Sequence, residues 1–99
     1  LLFASTDGFD VILLDAVTGA EVRRLDGCSG VMMSFAFSPD SSLLAVAASG
    51  GLCVFTIASG ELSAVFPSGD WLNTVAFSPD QTLIATAGKD HTVRVYGLP

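Results

Sequence analysis

The chain has 99 residues, half of them apolar (51%) and few charged (14%), with a formal net charge of −6. This composition excludes a disordered tail, which lacks the apolar side chains to bury a core. It also excludes a nucleic-acid groove, which needs clustered basic residues to neutralise phosphates, whereas Arg23, Arg24, Lys89 and Arg94 are scattered.

An acidic balance of this size serves solubility. The longest apolar runs are far shorter than a membrane-spanning helix needs, so no membrane segment is expected. Cys28 and Cys53 show no metal-ligand spacing and no disulfide framework. Two such thiols fit a reducing compartment, and a cytoplasmic or nuclear location is expected. The sequence opens at Leu1 rather than Met, which suggests a fragment or excised region.

Short runs rich in Val, Leu, Ile and Phe recur about every ten residues, separated by Gly, Asp, Ser and Pro. This rhythm is that of an all-β sandwich, barrel or propeller, and no window sustains a helical period. In chain order the predicted strands are 2–6, 11–14, 21–25, 33–37, 43–47, 52–56, 62–66, 73–77, 83–87 and 92–96. Asp7-Gly8, Thr18-Gly19, Ser38-Pro39-Asp40, Ser49-Gly50 and Ser59-Gly60 mark turns between them.

One phrase occurs twice, Ala36-Phe37-Ser38-Pro39-Asp40 and Ala76-Phe77-Ser78-Pro79-Asp80, forty residues apart. Around it, seven of the sixteen positions 31–46 are identical to 71–86 without a gap. A period of this size marks a structural unit used repeatedly. Each unit has four strands, a to d, so the chain supplies b-c-d, then a-b-c-d, then a-b-c. Strand a places Phe35 and Phe37, and later Val75 and Phe77, on one face, with Ala36 and Ala76 on the other. Pro39 and Pro79 then fall where no ladder N–H is needed, followed by Asp40 and Asp80 as turn formers. Strands b and c are apolar on both faces, whereas a lone antiparallel sheet keeps one face wet. Small sheets packed face to face around an axis, a β-propeller of four-stranded blades, are therefore expected.

At the residues 83–96 the chain resembles the WD-repeat (WD40) family: Asp90 falls where the family's b–c turn has Asp, Thr86 where strand b has Ser or Thr, and Tyr96 where strand c has Trp. The corner phrase matches twice, and Leu14-Asp15 and Phe55-Thr56 fall on the Trp-Asp pair. None of the three Trp positions holds Trp, and Cys28 takes the place of the family's His after Gly27. The family's hydrogen-bond network is therefore expected to be incomplete in every unit, with packing carrying more of the load. The resemblance covers the whole chain, as a partial blade at 1–26, a complete one at 27–66 and a partial one at 67–99. It implies a non-catalytic scaffold for protein–protein interaction. The alternative is part of an enzymatic or cofactor-binding propeller, quinoprotein-like or lactonase-like, with its site on other blades.

Catalytic chemistry finds little footing. His91 is the single histidine and sits in a predicted turn, no GxSxG elbow is present, and the glycines are dispersed. Asp15, Asp40, Asp80 and Asp90 are each explained by turns. No catalytic, metal or cofactor residue is assigned and no cofactor is expected. The resemblance implies that partners dock on the face made by the d–a and b–c loops. There Trp71, Phe9, Asp70, Lys89 and His91 are the candidate contacts, with aromatic residues favoured as binding anchors. Phe37, Pro39, Asp40, Phe77, Pro79, Asp80, Asp90, Thr86 and Tyr96 are assigned structural roles. The uncovered sheet faces and strand edges left by an incomplete set of blades call for protein partners, remaining blades or self-association.

Overall fold

Short runs rich in Leu, Val, Ala and Phe, cut by turn formers, fold as ten strands among the described residues. They are β1 Leu2–Thr6, β2 Val11–Asp15, β3 Glu21–Leu25, β4 Met32–Phe37, β5 Leu43–Ala48, β6 Gly51–Thr56, β7 Glu61–Pro67, β8 Leu72–Phe77, β9 Leu83–Gly88 and β10 Val93–Gly97. The computed structural model describes residues 2–6, 11–26, 28, 31–67, 72–88 and 93–97. Every predicted strand is found, with ends shifted by at most one residue, and the described residues contain no helix.

The strands form three antiparallel sheets: β1-β2-β3, β4-β5-β6-β7 and β10-β9-β8. The four-stranded central sheet is buried on both faces. Leu44, Val46, Ala48, Cys53 and Phe55 point to one side and join Val11, Leu13, Leu25 and Cys28. Ala45, Ala47, Leu52 and Val54 point to the other and join Leu72, Val75 and Ile84 of the third sheet. The alternation along β5 and β6 thus serves two cores at once, because successive side chains leave a strand on opposite faces. Phe35 and Phe37 pack into the first core and Ala36 into the second, as the repeated phrase predicts. Phe66 and Tyr96 meet across the second core as a tilted ring pair, centroids 4.7 Å apart.

Four one-residue bulges lie on edge strands. In β3, Arg23 faces Leu13 and Glu21 faces Leu14, leaving Val22 extra. Met32 faces Ala48 and Ser34 faces Ala47, so Met33 is extra. The repeat reproduces this forty residues on, where Leu72 faces Gly88, Thr74 faces Ala87 and Asn73 is extra. In β7, Leu62 faces Phe55 and Ala64 faces Val54, leaving Ser63 extra. Each bulge re-aims the side chains beyond it.

Two sequence expectations change here. Cys28 and Cys53 are not free thiols: they form a disulfide, Cα atoms 5.9 Å apart. Their spacing of 25 residues carries no recognisable pattern, so only the folded path shows that the end of β3 approaches the middle of β6. Burial on both faces holds for the central sheet alone. On the third sheet Val93, Val95 and Leu83 are 68%, 59% and 43% exposed, an apolar face with no cover among the described residues.

Candidate functional site

The sheets have two ends that differ in their hydrogen bonding. At one end lie the repeated corners, β4–β5 and β8–β9. Pro39 sets the first bend, since its ring fixes φ for that turn position, and the Ser41 N–H donates to the Ser38 carbonyl at 2.9 Å. Ser41 and Gln81 both take φ of 63°, a left-handed conformation uncommon for non-glycine residues. Asp40 is the hub of its corner. Its Oδ1 accepts from Ser38 Oγ (2.9 Å), the Ser42 N–H (2.9 Å) and Ser42 Oγ (2.6 Å). Ser38 Oγ in turn accepts from the Leu43 N–H at 3.0 Å.

The second corner repeats this arrangement, with Ser78 and Thr82 donating to Asp80 Oδ1. Hydrogen bonds from the Ser42 hydroxyl, the Ser42 amide and the Ser38 hydroxyl bring the Asp40 carboxyl down to about 2. The Ser78 and Thr82 hydroxyls, with the Thr82 amide, do the same for Asp80, also to about 2. Such bonds favour the charged form. The sequence carried this signal as Ser-x-Asp-x-Ser/Thr at both corners, which a reading of Asp as a simple turn former misses.

Contacts between sheets converge on the same end. The Asp40 N–H donates to Gln81 Oε1 at 2.6 Å, joining the two corners. Arg23 of β3 donates through Nη1 to the Ser59 carbonyl (3.2 Å) and through Nη2 to the Ala58 carbonyl (3.1 Å) in the β6–β7 turn. Asp15 closes the β2–β3 turn, accepting from the Val17 and Thr18 N–H groups, and these bonds lower its pKa. Sequence reasoning gave Gln81 and Arg23 no role, because each acts on residues more than thirty positions away. In each of Asp15, Asp40 and Asp80 it is Oδ1 that accepts the bonds of its own turn.

The opposite end holds Val31, which enters β4, and the β5–β6 turn. Here the Val31 N–H donates to Ser49 Oγ and the Ser49 N–H donates to the Val31 carbonyl, each at 2.9 Å. The segment entering β4 is thereby held against the β5–β6 turn. In the third sheet Leu72 faces Gly88 in the matching place. The predicted contacts Trp71, Phe9, Asp70, Lys89 and His91 lie outside the described residues, as does the structural Asp90. Thr86, by contrast, is buried on β9, and its Oγ1 finds no hydrogen-bond partner among the described residues. Tyr96 faces Ile84 in the register at which Phe55 faces Leu44, so the two occupy equivalent places. Among the described residues no group of three or more His, Cys, Asp or Glu is arranged to hold a metal ion.

Residues 19–56 and 60–97 each match a family model described as WD domain, G-beta repeat. Each matched stretch runs through the last strand of one sheet and three strands of the next, β3 with β4–β6 and β7 with β8–β10. No curated protein matches the chain.

Proposed function

The chain belongs to the WD domain, G-beta repeat family, and on that premise we propose that it is a non-catalytic scaffold whose three sheets are blades of a β-propeller. In this reading 27–66 is a complete blade, and 1–26 and 67–99 are partial ones. Proteins of this family generally mediate protein–protein interaction. The observation that carries the reading is the central sheet, covered on both faces by sheets of the same repeat. Such stacking leaves the ends of the central sheet, not its faces, for ligands.

Partner proteins dock on the end that holds Val31 against Ser49, through Trp71 and Phe9 as apolar anchors with Asp70, Lys89 and His91 around them. The opposite end is occupied by hydrogen bonds among its own corners, which supports this choice. A pull-down comparing the wild-type chain with Trp71→Ala, Phe9→Ala and Val17→Ser tests the assignment. Val17 is 89% exposed in the β2–β3 turn, at the other end. Partners are lost with the two aromatic substitutions and kept with Val17→Ser. Retention of every partner by both aromatic variants would place the docking surface elsewhere.

A further inference from the structure

The two seams between sheets come from one repeat but are held by different chemistry. At the seam between β1–β3 and β4–β7, Cys28, three residues past the end of β3, is bonded to Cys53 in β6. Both residues lie inside the apolar cluster formed by Val11, Leu13 and Leu25 from the first sheet and Leu44, Val46 and Phe55 from the second. Cys53 faces Val46 in the hairpin register, and the matching pair in the third sheet is Arg94 facing Thr86. The second seam therefore has no thiol at the place where the first is covalently closed.

We infer that the Cys28–Cys53 disulfide is a redox-controlled clasp on the first seam: a dithiol reductant loosens the joint between the β1–β3 and β4–β7 sheets and leaves the joint to β8–β10 unchanged. The first seam has two anchors. Arg23 reaches the β6–β7 turn at one end, and the disulfide ties Cys28, three residues before Val31, to the middle of β6. Among the described residues, removing the second anchor leaves Val11, Leu13, Leu25 and the partly buried Ala4 of the first sheet to hold the seam by packing.

The chemistry balances with the reductant named. A reductant thiolate attacks one sulfur to give a mixed disulfide and releases the other cysteine as a thiolate, which takes up a proton. The reductant's second thiol then displaces the remaining cysteine and leaves as a cyclic disulfide, so two electrons and two protons reach the protein. The two residues are only 6% and 5% exposed, so attack proceeds through local opening of the seam. Afterwards the two thiols are small apolar groups that the cluster retains side by side, ready to be reoxidised.

Amide hydrogen exchange on the whole chain, with and without dithiothreitol, tests this. Reduction speeds exchange of the Val31 and Ser49 amides by about tenfold or more, because a constraint closing a loop of this length is removed. The Ser78 and Gln81 amides, in the second corner, stay within about twofold of their oxidised rates. The Cys28→Ala/Cys53→Ala variant exchanges like the reduced protein and ignores dithiothreitol. Should that variant fail to fold, reduction of the wild-type chain alone decides. Unchanged rates at Val31 and Ser49, equal acceleration at all four amides, or two alkylatable thiols in the air-oxidised native chain would each overturn the inference.

Discussion

Phe55 and Val54 are neighbours in β6, yet they belong to different cores, and this gives a sharp quantitative test. Phe55 is fully buried between the first and central sheets, facing Leu44 on one side and Leu62 on the other. Truncation to alanine removes a whole ring from a site closed by strands on both flanks, where little can collapse inward. A loss of about 3–5 kcal/mol is expected. Val54→Ala removes two methyl groups at about 0.8 kcal/mol each plus a small cavity, or about 2 kcal/mol. Because the two side chains share no core, the double variant Val54→Ala/Phe55→Ala is additive within about 0.5 kcal/mol. Phe55→Ala with Leu13→Ala, by contrast, disturbs one cluster twice and departs from additivity by about 0.5–3 kcal/mol. Urea titrations followed by far-ultraviolet circular dichroism supply all of these values. A cost below about 1 kcal/mol for Phe55→Ala, or equal coupling in the two double variants, would refute the two-core reasoning.

Three further outcomes follow from the corners and turns. Asp40 and Asp80 have folded pKa values lowered to about 2, so their contribution is complete above the unfolded value of about 3.9 and is lost as pH falls towards 2. The urea midpoint therefore drops more steeply between pH 4 and pH 2 in wild type than in Asp40→Asn/Asp80→Asn, where pH 4 and pH 2 are chosen as roughly the bounds of that window. Gly19 and Gly60 share φ of +74°, but a Cβ at Gly60 would lie 2.9 Å from Arg23 Nη1 and 3.0 Å from Arg23 Cδ, whereas Gly19 has open space. Gly19→Ala costs about 1–2 kcal/mol of backbone strain, and Gly60→Ala costs more in the same urea titration to the extent that the Arg23 side chain must shift from its bonds to the Ser59 and Ala58 carbonyls. Gln81→Ala removes the acceptor of the Asp40 N–H and lowers stability by about 0.5–1.5 kcal/mol by thermal unfolding, with Gln81→Glu retaining an acceptor as control.

The strand positions were legible because each run is short, apolar and bounded by turn formers, and the facing of Phe35, Phe37 and Ala36 follows from simple alternation. The corner was legible as a corner. Its hydrogen-bond hub was present in the sequence as serine and threonine two residues either side of Asp40 and Asp80. What could not be read depends on distance through space rather than along the chain. The Cys28–Cys53 bond, the reach of Arg23 to Ala58 and Ser59, and the meeting of Gln81 with Asp40 each join residues brought together only when one sheet packs on another. The candidate contacts Trp71, Phe9, Asp70, Lys89 and His91 rest on their positions in the repeat alone.

Met33 and Asn73 set the parity of their strands. Along a regular strand, residues that share a face are separated by an even number, yet Met32 and Phe35 share the first core, and Leu72 and Val75 the second, at a separation of three. Deleting either bulged residue would restore regular alternation and force one end of the strand to turn its side chains from core to water. A one-residue deletion there is thus a frame error in three dimensions, more damaging than any substitution at the same exposed position, while an insertion of two residues nearby would keep every side chain in phase.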